Sequence, residues 1–397
     1  MDIAKEPTVF ERLLEPISPL LEQQADELPF DPKEEFHFPL FVRVLLYNFV
    51  VGYRSLRLLI TGLKTAPKAL GLPRVARSTL SDAFNRFRSV LFLPLLQGLL
   101  SSISFLEIPE LTTLGRLYCI DASWFPAVVN MEWAQFKENC RAIKLHLCWE
   151  LNRMLPVGFL ITDGKADDRS ILRQWLREGI TYIADRGYVC FELFADIVKA
   201  QAFFIIRVRK NLVYQLVEAL EATMPTAANG LFSDLTDSWV GLSNDNCYRL
   251  ITFKVVATTF YILTNRADLT TFEVITLYAY RWQVELAFRF IKRTMNGLHL
   301  ISTSENGVSI QFYSLLITAL LELHLKQFCI KKQDDYEQPP LPTVEKERPY
   351  EDAAAFVATI GQRLGRCWKV GVHWLLTLRN LIAQPFNAQA IALLSSA

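Results

Sequence analysis

The sequence has no CxxC pair, and its seven cysteines (Cys119, Cys140, Cys148, Cys190, Cys247, Cys329 and Cys367) are odd in number. That pattern argues against a disulfide scaffold and for reduced thiols in a cytoplasm. Histidine is scarce. His37, His146, His299, His324 and His373 are scattered, and no zinc-ligand spacing joins them to the cysteines. The first residues are acidic and lack a basic stretch followed by an apolar run, so no secretory leader is expected. Long apolar runs are also missing. Residues 89–106 are uncharged but hold Pro94, Gln97, Gly98 and four serines, and the uncharged run 306–321 is only sixteen residues long. A membrane span needs about 20 mostly apolar residues, so both read as buried helices and no membrane is expected as a partner. A strong net charge is lacking too: +1 over the chain gives no global sign of nucleic acid.

What is present is core material and local charge. The 397 residues are 51% hydrophobic and 12% aromatic. That excludes a disordered chain, and the length suggests two to four domains at roughly 100–200 residues each. Residues 1–36 carry ten acids and three bases and read as an acidic arm. Residues 40–92 carry nine bases against the single acid Asp82, a surface that would attract phosphates. Residues 37–112 read as helices broken by Gly62, Pro67, Gly71 and Pro73. Within them Ser78 is the expected N-cap of a helix whose Leu80, Phe84 and Phe87 share one face, leaving Arg77, Arg86 and Arg88 for outside contacts. This stretch fits a helix-turn-helix-like DNA reader and equally a structural bundle.

Near residue 114 the pattern changes. Leu117–Asp121 is a short apolar run ending in a carboxylate. Strands are expected over 141–151 and 154–162, then a helix capped by Asp167 or Asp168. Residues 180–184 make another strand that ends in a carboxylate, Asp185. A helix over 190–201 and a strand over 202–208 follow. This order points to a mixed α/β sheet with helices on its faces. Residues 211–268 read as a mainly β insertion, with a helix over 213–222 and strands over 248–256 and 258–264. One long helix over 271–295, an apolar helix over 306–330, a proline-rich charged linker over 331–351 and C-terminal helices over 352–397 complete the chain.

The helix 271–295 carries the chemistry. At 100° per residue Tyr278, Arg281, Glu285, Arg289 and Lys292 fall within an arc of about 80°. The bland reading is a solvated face with Glu285 paired to Arg281 and Arg289 at i±4. Against it stand Asp121 and Asp185, each at the end of an apolar strand, where a carboxylate is costly unless paired or metal-bound. The carboxyl ends of strands are where ligands gather in α/β sheets. Three carboxylates beside a cationic stripe suit phosphodiester chemistry, since hard divalent ions prefer oxygen ligands and the bases would hold phosphates.

The spacing Tyr278-x2-Arg281-x3-Glu285-x6-Lys292 resembles the YREK signature of bacterial insertion-sequence DDE transposases. Tyr280-Arg281-Trp282-Gln283-Val284-Glu285 resembles the family's run around the last acid, with Tyr280 where an arginine is also common. Tyr118–Ser123 and Ala184–Tyr188 resemble the blocks holding its first and second aspartates, and Thr264-Asn265-Arg266 resembles the run before its last helix. The likeness spans roughly residues 115–325; the terminal regions match far less clearly.

The resemblance implies an RNase H-like core over 113–330, with the β-rich insertion near 211–268. It implies Asp121, Asp185 and Glu285 as catalytic ligands of two Mg²⁺ ions, with Mn²⁺ as a substitute. It implies Tyr278, Arg281 and Lys292 as contacts to transposon-end phosphates. Its expected partners are double-stranded DNA (terminal inverted repeats and target) and a second copy of the chain in a DNA-bound pair. Members excise an element through a hairpin and join the freed 3′ hydroxyl to target DNA. Trp239 is a candidate to stack on an extruded base, and Trp282 to pack in the core or orient the stripe. Arg289, Arg209 and Lys210 are candidate DNA contacts. His146 is expected to be a satisfied strand residue, and Asp163, Asp167 and Asp168 to serve in capping or loop solvation. Two alternatives remain: a transposase-derived DNA-binding protein that no longer cuts, and a nuclease of similar fold that only hydrolyses.

Overall fold

The computed structural model describes residues 6–28, 35–103, 107–138, 140–228, 230–242, 246–255, 257–295, 299–337, 374 and 376–396. A ten-stranded mixed sheet organises the chain: β1 (Arg116–Pro126), β2 (Gln135–Lys137), β3 (Cys140–Glu150), β4 (Leu155–Asp163), β5 (Ile180–Ala184), β6 (Phe203–Arg207), β7 (Gln215–Leu220), β8 (Ser233–Gly241), β9 (Cys247–Val255) and β10 (Thr258–Thr264). The spatial order is β2-β3-β1-β5-β6-β10-β9-β8-β7, with β4 also on β3. Only β1, β5 and β6 run parallel; every other pair is antiparallel. All five β5 residues are buried, as expected of a parallel strand covered on both faces.

One face of the parallel strands is covered by the crossover helices α8 (Asp168–Gln174) and α9 (Phe191–Lys199). There Leu172, Leu193, Phe194 and Ile197 pack on Tyr182, Phe204 and Ile206. The other face meets a large core shared by Cys119, Ile183, Ile205, Val274, Val284 and Leu316. It includes α10 (Thr271–Tyr280), α11 (Trp282–Arg289) and α12 (Glu305–Glu337), together with the N-terminal helices α1 (Val9–Leu14), α2 (Ser18–Asp26), α3 (Phe38–Val51), α4 (Leu56–Thr65), α5 (Arg77–Arg86), α6 (Phe92–Ser102) and the short α7 (Pro109–Thr112).

Several expectations change. The acidic stretch is not a free arm. Val9, Phe10, Leu13, Leu14 and Ile17 are buried, and Thr8 bridges Pro385. Counting charge alone passes over this apolar face, whose spacing is helical. Residues 215–220 form a strand, not a helix, because β8 offers them a ladder. The insertion does not stand apart: β10 pairs with β6, so β7–β9 lengthen the same sheet. Ser78 caps nothing; α5 starts at Arg77 after Ala76. Arg86 stays exposed and donates to the Phe36 carbonyl at 2.5 Å. The expected 271–295 helix breaks at Arg281, which joins α10 to α11, and ends in a π-turn over Phe290–Thr294. The N-terminal capping box of α10 is Thr270 with Glu273.

α12 runs to Glu337, into the expected linker; most of that linker and the start of the C-terminal region lie outside the described residues. A helical stretch over 376–381 and a further helix, Ala388–Ser396, follow. Within α12, Glu305–Lys332 is long and apolar enough to cross a membrane by length and composition, but 72% of its apolar window is buried inside the protein.

Candidate active site

β1 does not stop at Asp121. It runs parallel to β5 only as far as the Cys119–Ile183 pair, then continues along β3 to Pro126. Asp121 is therefore mid-strand, at the point where β5 leaves it. Asp185 follows β5 directly and caps the 3₁₀ turn Arg186–Tyr188, its Oδ1 accepting from the Gly187 amide at 2.8 Å. Both aspartates thus lie at the carboxyl edge of the parallel pair, where strand ends present ligands.

Glu285 reaches the same region from α11. Its Oε1 accepts from Arg281 Nη2 at 2.6 Å, while Arg281 Nη1 stands 3.9 Å from Asp121 Oδ2. Arg281 thus sits between two of the three acids. The Asp121 carboxyl is pushed up to about 7 by burial. The Ala122 amide and Arg281 oppose the rise, and the charges of Asp185 and Glu285 add to it. Asp121 therefore feels the charges of the other two carboxylates. Among the described residues, no three Asp, Glu, His or Cys side chains stand close enough together to hold one metal ion. Glu285 faces Arg281 instead. The donor set still fits a hard divalent cation: it supplies carboxylate oxygens, and Asp121 has no cationic side chain nearer than the 3.9 Å contact. A cation among the three would remove the mutual repulsion that an arginine alone only partly offsets.

Tyr278, on α10, is 8% exposed. Burial pushes its hydroxyl pKa up, while Arg281 and Arg207 beside it pull the other way. Lys292 sits on the π-turn, half-buried, where desolvation lowers its pKa and the Asp121 charge opposes the drop. Its Nζ donates to Ser123 Oγ at 2.6 Å and lies 4.8 Å from the Phe125 ring centre. Asp121, Ser123 and Phe125 alternate along β1 and so share a face. Ser123 entered the sequence reading only as the end of the Tyr118–Ser123 block and Phe125 not at all, although counting by twos from Asp121 would have found them. Arg289 is exposed on α11. Arg209 and Lys210 are exposed after β6. Arg209 also lines a cleft of about 610 Å³ with Arg169, Arg186, Gly187, Phe191 and Val213.

Other residues stand elsewhere. Trp282 is 48% exposed, not packed in the core, because the break at Arg281 turns it outward. Trp239 lies on β8 opposite Arg249. His146 is a buried strand residue whose Nε2 bonds Thr162 Oγ1 at 2.9 Å, while its Nδ1 lies 3.1 Å from Asp168 Oδ1 without a hydrogen bond, so its ring is only half satisfied. Asp167 caps α8, and Asp163 accepts from the Lys165 and Ala166 amides. Asp168 instead binds the buried Lys144 at 2.9 Å.

The profile of the family described as transposase DDE domain matches residues 113–321, just over half of the chain. A protein of Sinorhizobium fredii named as transposase y4zB is 28% identical over 218 residues, covering 53% of this chain and 61% of that one. A transposase of insertion sequence element IS5377 from Geobacillus stearothermophilus is 24% identical over 258 residues, covering 63% of this chain and 67% of that one. The chain thus spans about three-fifths of the first of these relatives. A solved endonuclease V from Bacillus subtilis covers 63% of this chain and 96% of its own, at 8% identity and a TM-score of 0.22, too loose a superposition to carry an argument. With this match covering more than half of its residues, the chain belongs to the transposase DDE domain family.

Proposed function

We propose that this protein is an insertion-sequence DNA transposase that cuts DNA at the ends of its element and joins the freed 3′ hydroxyl to target DNA. The core is read as RNase H-like. Asp121, Asp185 and Glu285 would hold two Mg²⁺ ions, with Mn²⁺ as a substitute. When bound, the metals activate the attacking oxygen and stabilise the leaving one. Arg281 and Lys292 hold the phosphate beside the carboxylates, Tyr278 fixes Arg281 from below, and Arg289, Arg209 and Lys210 grip the backbone further out. DNA reaches this edge as the terminal inverted repeats, with a second copy of the chain pairing two ends. Excision through a hairpin, and work in the cytoplasm on the nucleoid, complete the reading.

The observation that carries it is the Asp121 carboxyl: half-buried, under the charges of Asp185 and Glu285, and faced by Arg281 at 3.9 Å. In the test, Asp121→Asn, Asp185→Asn and Glu285→Gln are mixed with the element's flanking inverted repeats and Mg²⁺. All three are expected to bind the ends and to leave them uncut. Cleavage retained by all three variants would rule out the assignment. Pre-cut ends offered with target plasmid separate joining from simple hydrolysis: free ends with no joined product would leave a nuclease.

A further inference from the structure

The charge in the N-terminal helices is laid out for a purpose that the candidate active site does not use. From Phe36 to Ser81 the chain contains no acid, and seven bases. Arg43 is spent internally, donating to the Leu70 carbonyl at 3.1 Å, whereas the other six are exposed. Among those, Arg57 and Lys64 lie on α4. Counting 100° per residue, Arg57, Leu58, Thr61, Lys64 and Thr65 occupy an arc of about 120° on that helix. All five are exposed, while Leu59, Ile60, Gly62 and Leu63 are buried on the opposite side. Leu58, a large apolar side chain on that face, is 49% exposed.

α4 is also held at a fixed angle. α3 and α4 are joined by four residues, Gly52 to Ser55, and their axes turn by 99°. Gly52 takes a left-handed conformation, φ 82°, that suits glycine, and Ser55 caps α4. The ring of Tyr53 lies over Gly62 so closely that a Cβ there would meet its hydroxyl at 2.1 Å, and that hydroxyl lies 3.4 Å from Tyr47 Oη on α3. Two helices near a right angle across a short glycine turn, with the second amphipathic and basic outside, match the helix-turn-helix arrangement, whose second helix enters the major groove.

We infer that α4, and not the α5 region that the sequence pattern first suggested, is a sequence-reading helix for duplex DNA, with Arg57 and Lys64 on base edges or phosphates and Leu58 against thymine methyls. This rests on the DNA-directed reading above and assigns to it the element that selects a sequence. Arginine and lysine pair with guanine edges, and exposed apolar side chains meet the thymine methyl group. The Tyr53–Gly62 contact sets how α4 is presented.

The experiment selects binders from a pool of random-sequence duplexes with the full chain, in chelator so that no cutting occurs. The unsubstituted protein is expected to enrich one common sequence. Arg57→Ala and Lys64→Ala are expected to bind that sequence about ten- to hundredfold more weakly, the effect of one lost base contact. Their binding to unselected duplex should change by much less. Gly62→Ala, checked for an unchanged circular dichroism spectrum, should lose the same preference by displacing Tyr53. Enrichment of the same sequence at full strength by both Arg57→Ala and Lys64→Ala would overturn the assignment. Metal-dependent cleavage by a wild-type protein that enriches no sequence would overturn it while leaving the transposase reading intact.

Discussion

Replacing Asp121 with asparagine should stabilise the protein, and the gain should depend on pH. Burial lifts this carboxyl from an ordinary 3.8 to about 7. Between those values the folded chain binds the proton more tightly than the unfolded chain does, so stability falls as pH rises through the window. At about 1.4 kcal/mol per pH unit, the full penalty above pH 7 is roughly 4 kcal/mol. Asparagine keeps the shape, still accepts from the Ala122 amide now held at 2.8 Å, and carries no charge to desolvate. The attraction of Arg281, already contained in the value of about 7, is lost with the charge. Urea unfolding in chelator should therefore show the variant more stable by roughly 4 kcal/mol at about pH 8, with the gap shrinking to under about 1 kcal/mol at about pH 4. Adding Mg²⁺ at the higher pH should stabilise the unsubstituted protein and narrow the gap. A gap that stays constant across pH, or a variant no more stable at about pH 8, would refute the reasoning.

Arg249→Met should cost about 3–5 kcal/mol in a denaturant titration, because it strands the buried Asp237 that Arg249 holds at 2.9 and 2.5 Å. Asn152→Ala should cost about 2–4 kcal/mol in the same titration. Its side chain accepts from the Leu117 amide at 2.9 Å and donates to the Leu111 and Gly115 carbonyls, and each orphaned group costs about 1–3 kcal/mol. Lys292→Ala should weaken duplex binding and lower the slope of log affinity against log salt by about 1, as one lost phosphate contact does; an unchanged slope would count against that role.

The strands that carry the site were legible in the sequence because their physics is local. Residues 180–184 form a mostly apolar, strand-prone run between Gly179 and Asp185, and β5 has those bounds. Asp121 and Asp185 could be singled out because carboxylates beside apolar strands are costly, and Glu285 because it lies on the polar stripe of a largely apolar helix. What local pattern did not settle was set by partners far along the chain. Asp121 is mid-strand because β3 continues to pair with β1 after β5 has left it. Residues 215–220 became a strand because β8 was there to receive them. Leucine, valine and glutamate at those positions suit either state until a neighbour decides. The salt bridge from Arg281 to Glu285 was visible as an i,i+4 pair, but the approach of Arg281 to Asp121, 160 positions earlier, was not.

The way α12 is shared has a consequence for how the chain is made. Val308, Phe312 and Leu316 belong to the same core as Phe41, Leu45 and Phe92. Asn306 further ties the two ends, donating to the Phe84 and Phe87 carbonyls at 2.8 and 2.9 Å. A ribosome delivers the N-terminal helices first, yet the part of their apolar surface that α12 covers waits until some two hundred more residues have emerged. A message truncated before α12 would release a fragment with that surface open, and excising the front helices as a stand-alone DNA-binding module would strip Phe92 of its stacking with Tyr313.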